Sequence, residues 1–293
     1  MRIFTASVMI AALAVMLPAP PAGAWDRTYA IRIEHLRTDV TTIPAGWIDT
    51  TRANSRMYYG HTSHGEQITG GLTNLEADSA LYAFEMEHQV LPAADSAICV
   101  NDDAAVLPND FFETAAGMNR TRAVLDAWPA INIAMFMWCM HLDDWTSEQV
   151  RAYLDSMEVL ETEYPDVVFI YATGHAQTAG AQGWNRHQRN EEIRAWCDAN
   201  NKVLFDFADM DVWWYNPATW EWETNSYDYE GNDVPLEHPQ YSGNQHGHTT
   251  WESCENKGAA MWHLTAMLAG WDGRLTATEE KSLGGIKMLY RER

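Results

Sequence analysis

Basic residues are scarce in this sequence: 19 Lys and Arg stand against 41 Asp and Glu, a net charge of −22. That balance speaks against nucleic acid and an anionic membrane as partners, since both are held mainly by clustered cations. Cysteine is sparse too, and the four present, Cys99, Cys139, Cys197 and Cys254, lie far apart. With no C-x-x-C pair, a thiolate zinc site is not expected. Two disulfides in any of three pairings stay open, with a buried free thiol as the alternative reading of Cys139, which ends an apolar run. No internal repeat, low-complexity tract or Pro/Ser/Gly-rich linker divides the chain, which points to one domain. Long apolar runs are missing after the first two dozen residues, so no later segment is expected to span a bilayer.

The N-terminus has the one such run. Arg2 supplies a positive charge, residues 3–17 are almost continuously apolar, Pro18, Pro20 and Pro21 break the run, and Ala22-Gly23-Ala24 offers a small-residue cleavage site. This order is that of an export signal over residues 1–24, with the mature chain starting at Trp25 outside the cytoplasm, secreted or periplasmic. A single domain is expected over 25–271 and a peripheral, more basic tail over 272–293.

Apolar runs of strand length alternate with amphipathic runs of helix length, the pattern of a parallel sheet covered on both faces. Residues 57–60, 131–138, 167–172 and 203–207 read as strands. Helices are expected over 146–163, where Val150, Tyr153, Leu154, Met157 and Leu160 fall on one face, over 190–199, and over about 256–269 before Gly270. The stretch 209–251 has little periodicity but many aromatics. Among them, Trp213, Trp214 and Trp220 are candidates for a platform that stacks sugar rings, although the aromatics could equally form the loop's own small core. The acidic run 228–233 lacks the spacing of an EF-hand loop and reads as a turn.

The most informative segment is Tyr58-Tyr59-Gly60-His61-Thr62-Ser63-His64-Gly65. A strand that ends in a tight turn and opens a helix presents a hydroxyl at the carboxyl edge of the sheet, beside helix N-terminal amides, and Ser63 holds that place. This G-x-x-S-x-G turn resembles the first block of the SGNH (GDSL-like) hydrolases, and the elements from about residue 57 to 270 follow a similar order. The resemblance implies a flavodoxin-like α/β fold and a serine nucleophile that cleaves esters. Gly117-Met118-Asn119 is similar to the second block, which implies oxyanion roles for Gly117 and Asn119. The third-block G-x-N-D is replaced by Trp138-Cys139-Met140-His141, and no D-x-x-H precedes the last helix. His248, or else His246, is then the general base by chain order, with Asp209, Asp211 or Glu237 as the orienting acid.

His61, His64 and His175 are expected to line the same edge, since residues that follow parallel strands share one rim. The sequence therefore predicts that Ser63, His175 and one of His246 and His248 converge there. The expected substrate is a small-molecule or polysaccharide ester, possible acyl-carbohydrate included, and no cofactor or metal is assigned. Two alternatives remain: a glycan-binding domain on a hydrolase scaffold, and a hydrolase whose histidines hold a metal.

Overall fold

Runs that are apolar at every position can be buried on both faces, and this chain builds the middle of its sheet from such runs. The computed structural model describes residues 28–274, so the expected signal peptide and all but the first residues of the tail lie outside them. Along the chain the elements are β1 (Ile31–Ile33), α1 (Ala45–Asn54), β2 (Arg56–His61), α2 (Glu66–Asp78), β3 (Phe84–His88) and β4 (Ile98–Ala104). There follow α3 (Pro108–Phe111), α4 (Ala115–Ala127), β5 (Ile133–Met137), α5 (Ser147–Glu163), β6 (Val168–Ala172), α6 (Gly180–Ala199), β7 (Val203–Phe205) and α7 (Phe207–Val212). Four short strands come next, β8 (Trp213–Asn216), β9 (Glu221–Thr224), β10 (Ser226–Tyr229) and β11 (Asn232–Pro235), then β12 (Ser242–His246) and α8 (Trp251–Leu268).

Seven parallel strands form one sheet in the order β1-β7-β6-β5-β2-β4-β3. Its inner five, β4-β2-β5-β6-β7, have the 2-1-3-4-5 order of a flavodoxin-like α/β fold. That architecture is the one expected from the alternating strand and helix runs. The chain passes from β2 outward to β4 and later returns to β5 on the other side of β2, so the topological switch point lies between β2 and β5. Open α/β sheets bind ligands in the crevice outside the strand ends at such a point.

Three strands were not legible as strands. β4 carries Asn101, Asp102 and Asp103, all buried, so its polarity hides it. β1 is three residues long, and β3 is exposed at four of its five positions. The long aromatic stretch is also more ordered than its lack of periodicity suggests, since it holds two hairpins, β8-β9 and β10-β11. The acidic run over 228–233 is the turn of the second hairpin, with Glu230 and Gly231 at positive φ.

α5 begins with a capping box, Thr146 and Gln149 satisfying each other's backbone amides, and buries the five apolar residues of its stripe. α8 starts at Trp251, earlier than its periodicity indicates, and is buried on nearly every face. It lies against α2 backbone to backbone: a Cβ on Gly258 would stand 2.5 Å from the Gly71 carbonyl carbon, and one on Gly71 1.8 Å from the Cys254 carbonyl oxygen. Lys257 of α8 reaches Asp211 of α7 at 2.8 Å, with both side chains fully buried. Breaking such a pair costs about 3–5 kcal/mol because it strands a charge, so it ties α7 to α8. All four cysteines are free, and the bridges left open by the sequence are not formed. Cys99, Cys197 and Cys254 are each packed into the interior from a different element, β4, α6 and α8.

Candidate active site

The register of the two strands at the switch point sets the geometry. His61 of β2 pairs with Met137 of β5, and each strand ends there. Two residues further on stand Ser63 and Cys139, and their side chains meet, Oγ to Sγ, at 3.2 Å. The base of the second residue is fixed by Trp138, fully buried, whose Nε1 donates to the Ala172 carbonyl at the end of β6.

His64, the next residue of the turn, puts Nδ1 at 3.1 Å from Cys139 Sγ and Nε2 at 2.9 Å from Gln177 Oε1. The Gln177 amide is oriented by its other contacts, since Nε2 donates to Glu237 Oε1 at 2.8 Å and to the His248 carbonyl at 3.0 Å. Its oxygen therefore faces His64, and His64 Nε2 must carry the hydrogen. In the neutral ring the lone pair is then on Nδ1, aimed at the sulfur. Thiol, imidazole and side-chain amide in this order match the Cys-His-amide arrangement of thiol hydrolases.

The electrostatics run the same way on both partners. Partial burial opposes the Cys139 thiolate, but hydrogen bonds from His64 and Ser63, the His64 charge and the Met140 backbone N–H bring its pKa down to about 7. Burial also opposes a charged His64, while the Cys139 hydrogen bond and charge, Gln177 and Asp211 hold its pKa above the ordinary value. The pair thus favours thiolate and imidazolium together.

Two more imidazoles flank His64. His175 stacks on it with ring centroids 4.4 Å apart and planes 16° from parallel, and His248 lies at 4.9 Å with a 34° tilt. Burial, then the His64 charge, keeps both flanking rings neutral, His175 strongly so. His175 Nδ1 accepts from the Gln177 backbone N–H, which leaves the hydrogen on Nε2, 3.6 Å from Asp143 Oδ1. His248 is held at φ +72°, a left-handed conformation that costs a non-glycine residue of order 1–3 kcal/mol. The loop carrying it presses on the Ser63 turn: a Cβ on Gly247 would stand 3.0 Å from the Ser63 carbonyl oxygen.

Other candidate residues are placed elsewhere or used structurally. His61 is buried with Nε2 2.8 Å from Asp102 Oδ1 on β4 and packs on Tyr59, so it clamps the turn from below. His246 contacts the Glu66 carbonyl and stacks on Trp251, which seals its loop onto α2. Gly117 lies inside α4, its N–H taken by the Thr114 cap, and Asn119 accepts from Arg122 on an exposed surface. None of these partners belongs to the Ser63 cluster. Among the acids named from sequence, Glu237 joins the network through Gln177, Asp211 anchors Lys257 and the Ala176 amide, and Asp209 pairs with His35. Cys139 as a reactive group and Gln177 were missed: Cys139 stands just past the end of β5, where the rule that pointed to Ser63 and His175 applies, whereas Gln177 lies deeper in the loop after β6 and carries no such signal.

The aromatic residues mostly contact one another. Trp213 stacks on His35, and Trp214 stacks on His238 and donates to Glu252. Trp220 sits at the β8-β9 turn with φ +64°. A cavity of about 470 Å³ opens on the same rim, beside β1 and β7, with Trp213, Arg186, Arg194, Asn190 and Glu34 in its wall. Ala176, next to His175, is part of its wall, but Ser63, Cys139, His64, His175 and His248 do not line it.

Three imidazoles do meet, yet as stacked rings rather than as converging nitrogens. Among the described residues no group of three or more His, Cys, Asp or Glu side chains is set to hold a metal ion. No family model and no curated protein matches this chain.

Proposed function

We propose that this protein is an acyl hydrolase that cleaves a carboxylic ester through a covalent acyl-enzyme formed at the Ser63–Cys139 pair. One observation carries the reading: His64, its tautomer set by Gln177, aims its free lone pair at the proton of that pair, 3.1 Å from the sulfur. A base oriented by a third group beside a hydroxyl and a thiol is the arrangement that activates otherwise weak nucleophiles. The resemblance of the Ser63 turn to the SGNH hydrolases supports the same class.

The chemistry follows from the positions. His64 takes the nucleophile's proton as the acyl carbonyl is attacked, and the first amides of the turn that opens α2 are the donors for the oxyanion. The alcohol leaves with the proton from His64, and water, deprotonated by the same nitrogen, then releases the acid. Neutral His248 and His175 cover the two faces of the imidazolium while it exists. An acylated carbohydrate suits Trp213 on the wall of the adjoining cavity, whose other lining groups are hydrogen-bonding and charged. A secreted or periplasmic location belongs to the same proposal and rests on residues 1–24.

The test is steady-state hydrolysis of a panel of short-chain aryl esters by the wild type and His64→Gln. Loss of about 10³-fold in kcat, with KM little changed, is expected from removing a general base. Equal turnover by the two proteins would rule out this site.

A further inference from the structure

We propose that the attacking atom is the Cys139 sulfur, so that the enzyme is a thiol hydrolase in which Ser63 donates to the sulfur. This rests on the acyl-hydrolase reading above and goes beyond it by naming the nucleophile. The sulfur, and not the hydroxyl oxygen, is the atom on which the site converges. His64 Nδ1 lies at 3.1 Å from it and Ser63 Oγ at 3.2 Å. Once His64 has taken the proton, its Nδ1–H and the Ser63 hydroxyl both donate to the sulfur, the environment of a thiolate, which is the nucleophilic form of cysteine. The Ser63 hydroxyl, by contrast, meets the sulfur and no imidazole nitrogen.

Position supports the assignment independently. Cys139 is the second residue after β5 at the switch point, half-buried rather than sealed in, whereas the other three cysteines are fully buried. Burial pushes the Cys254 thiol up to about 11, and the Cys197 thiol is also raised by burial. One cysteine is thus set apart from the rest by exposure and by its proton acceptor.

The step balances as follows. The Cys139 S–H proton passes to His64 Nδ1, a sulfur–carbon bond forms at the acyl carbon, and the carbonyl π pair moves to oxygen. Collapse breaks the carbon–oxygen bond to the alcohol, which leaves with the proton from His64. Water then adds to the thioester and gives its proton to His64. The carbon–sulfur bond breaks, the acid departs, and the proton returns to the sulfur. Ester and water give acid and alcohol, with no oxidant or reductant.

The experiment traps the intermediate on the wild-type protein. After mixing with para-nitrophenyl acetate and quenching in acid, peptide mass spectrometry locates the acetyl group, and neutral hydroxylamine, which cleaves thioesters and spares ordinary oxyesters, identifies the linkage. An acetyl on Cys139 that hydroxylamine removes is expected. An acetyl on Ser63 that survives it would overturn the thiol assignment and leave the acyl-hydrolase reading standing, while no adduct and no turnover would sink both. In parallel, iodoacetamide alkylation of Cys139 should rise with pH as the thiolate forms, reach half its maximum near the pKa of about 7 and level off above it. Under the same native conditions Cys99, Cys197 and Cys254 should react at least ~10-fold more slowly. A Cys139 profile still climbing past the ordinary thiol range would contradict the proposal. Cys139→Ser should lose about 10³-fold in kcat while keeping its thermal melt, and full activity in that variant would also overturn it.

Discussion

Gln177 is the side chain that gives the site its direction. Its amide nitrogen is taken by Glu237 and the His248 carbonyl, which leaves its oxygen for His64 and settles which imidazole nitrogen is the base. It touches no reacting atom, so its role is positioning. Gln177→Ala should lower kcat by about 10²-fold with KM nearly unchanged, the size of effect expected when a catalytic group is displaced by an ångström or so. A merely structural role would instead lower the melting temperature and leave kcat of the folded fraction as it was. Kinetics and a thermal melt on one preparation separate the two. Gln177 was hidden in the sequence because a glutamine in a loop carries no motif, and its meaning depends on three partners distant in the chain. Cys139 was hidden for a different reason, since an apolar run followed by a cysteine also describes a buried core thiol.

At the scale of elements, the site depends on how closely α2 and α8 approach. α2 starts at the Ser63 turn and α8 follows the His248 loop, and the two meet where Gly71 faces Gly258. A methyl group on Gly258 has backbone atoms of Gly71 and Leu72 within 2.7 Å and no flexible side chain to displace. Gly258→Ala should therefore cost about 3 kcal/mol or more, the upper range for overpacking, and lower the melting temperature by roughly 10 °C. A calorimetric melt unchanged from the wild type would mean that the helices can part without cost.

The strands at the middle of the sheet were legible because runs such as Ile133 to Trp138 are apolar at every position, as a strand buried on both faces requires. β4 was not, because its buried acids are satisfied by long-range partners: Asp102 by His61, and Asp103 by Arg120, Gln89 and Tyr58. The hairpins between α7 and α8 escaped for a related reason. Their strands are four residues long and half-exposed, so alternation has no length over which to show.

For the whole molecule, topology explains the site better than any single motif does. The reversal of strand order between β2 and β5 opens a crevice, and the register of those strands brings Ser63 and Cys139 to it side by side. The flanking imidazoles arrive from β6 and from the loop before α8. The rim itself could be read from the sequence, since strand ends of a parallel sheet share one edge. Which of its residues touch could not, because contact across the rim depends on register and on loop paths.

The central claim, covalent acyl transfer at the Ser63–Cys139 pair, is tested most directly by intact-mass spectrometry of the chain acid-quenched during turnover of para-nitrophenyl acetate. The account predicts one acetyl group per chain in the wild type and none in the double variant Ser63→Ala/Cys139→Ala, which should also release no nitrophenol above the buffer rate. Acetylation or turnover that persists in the double variant would contradict it.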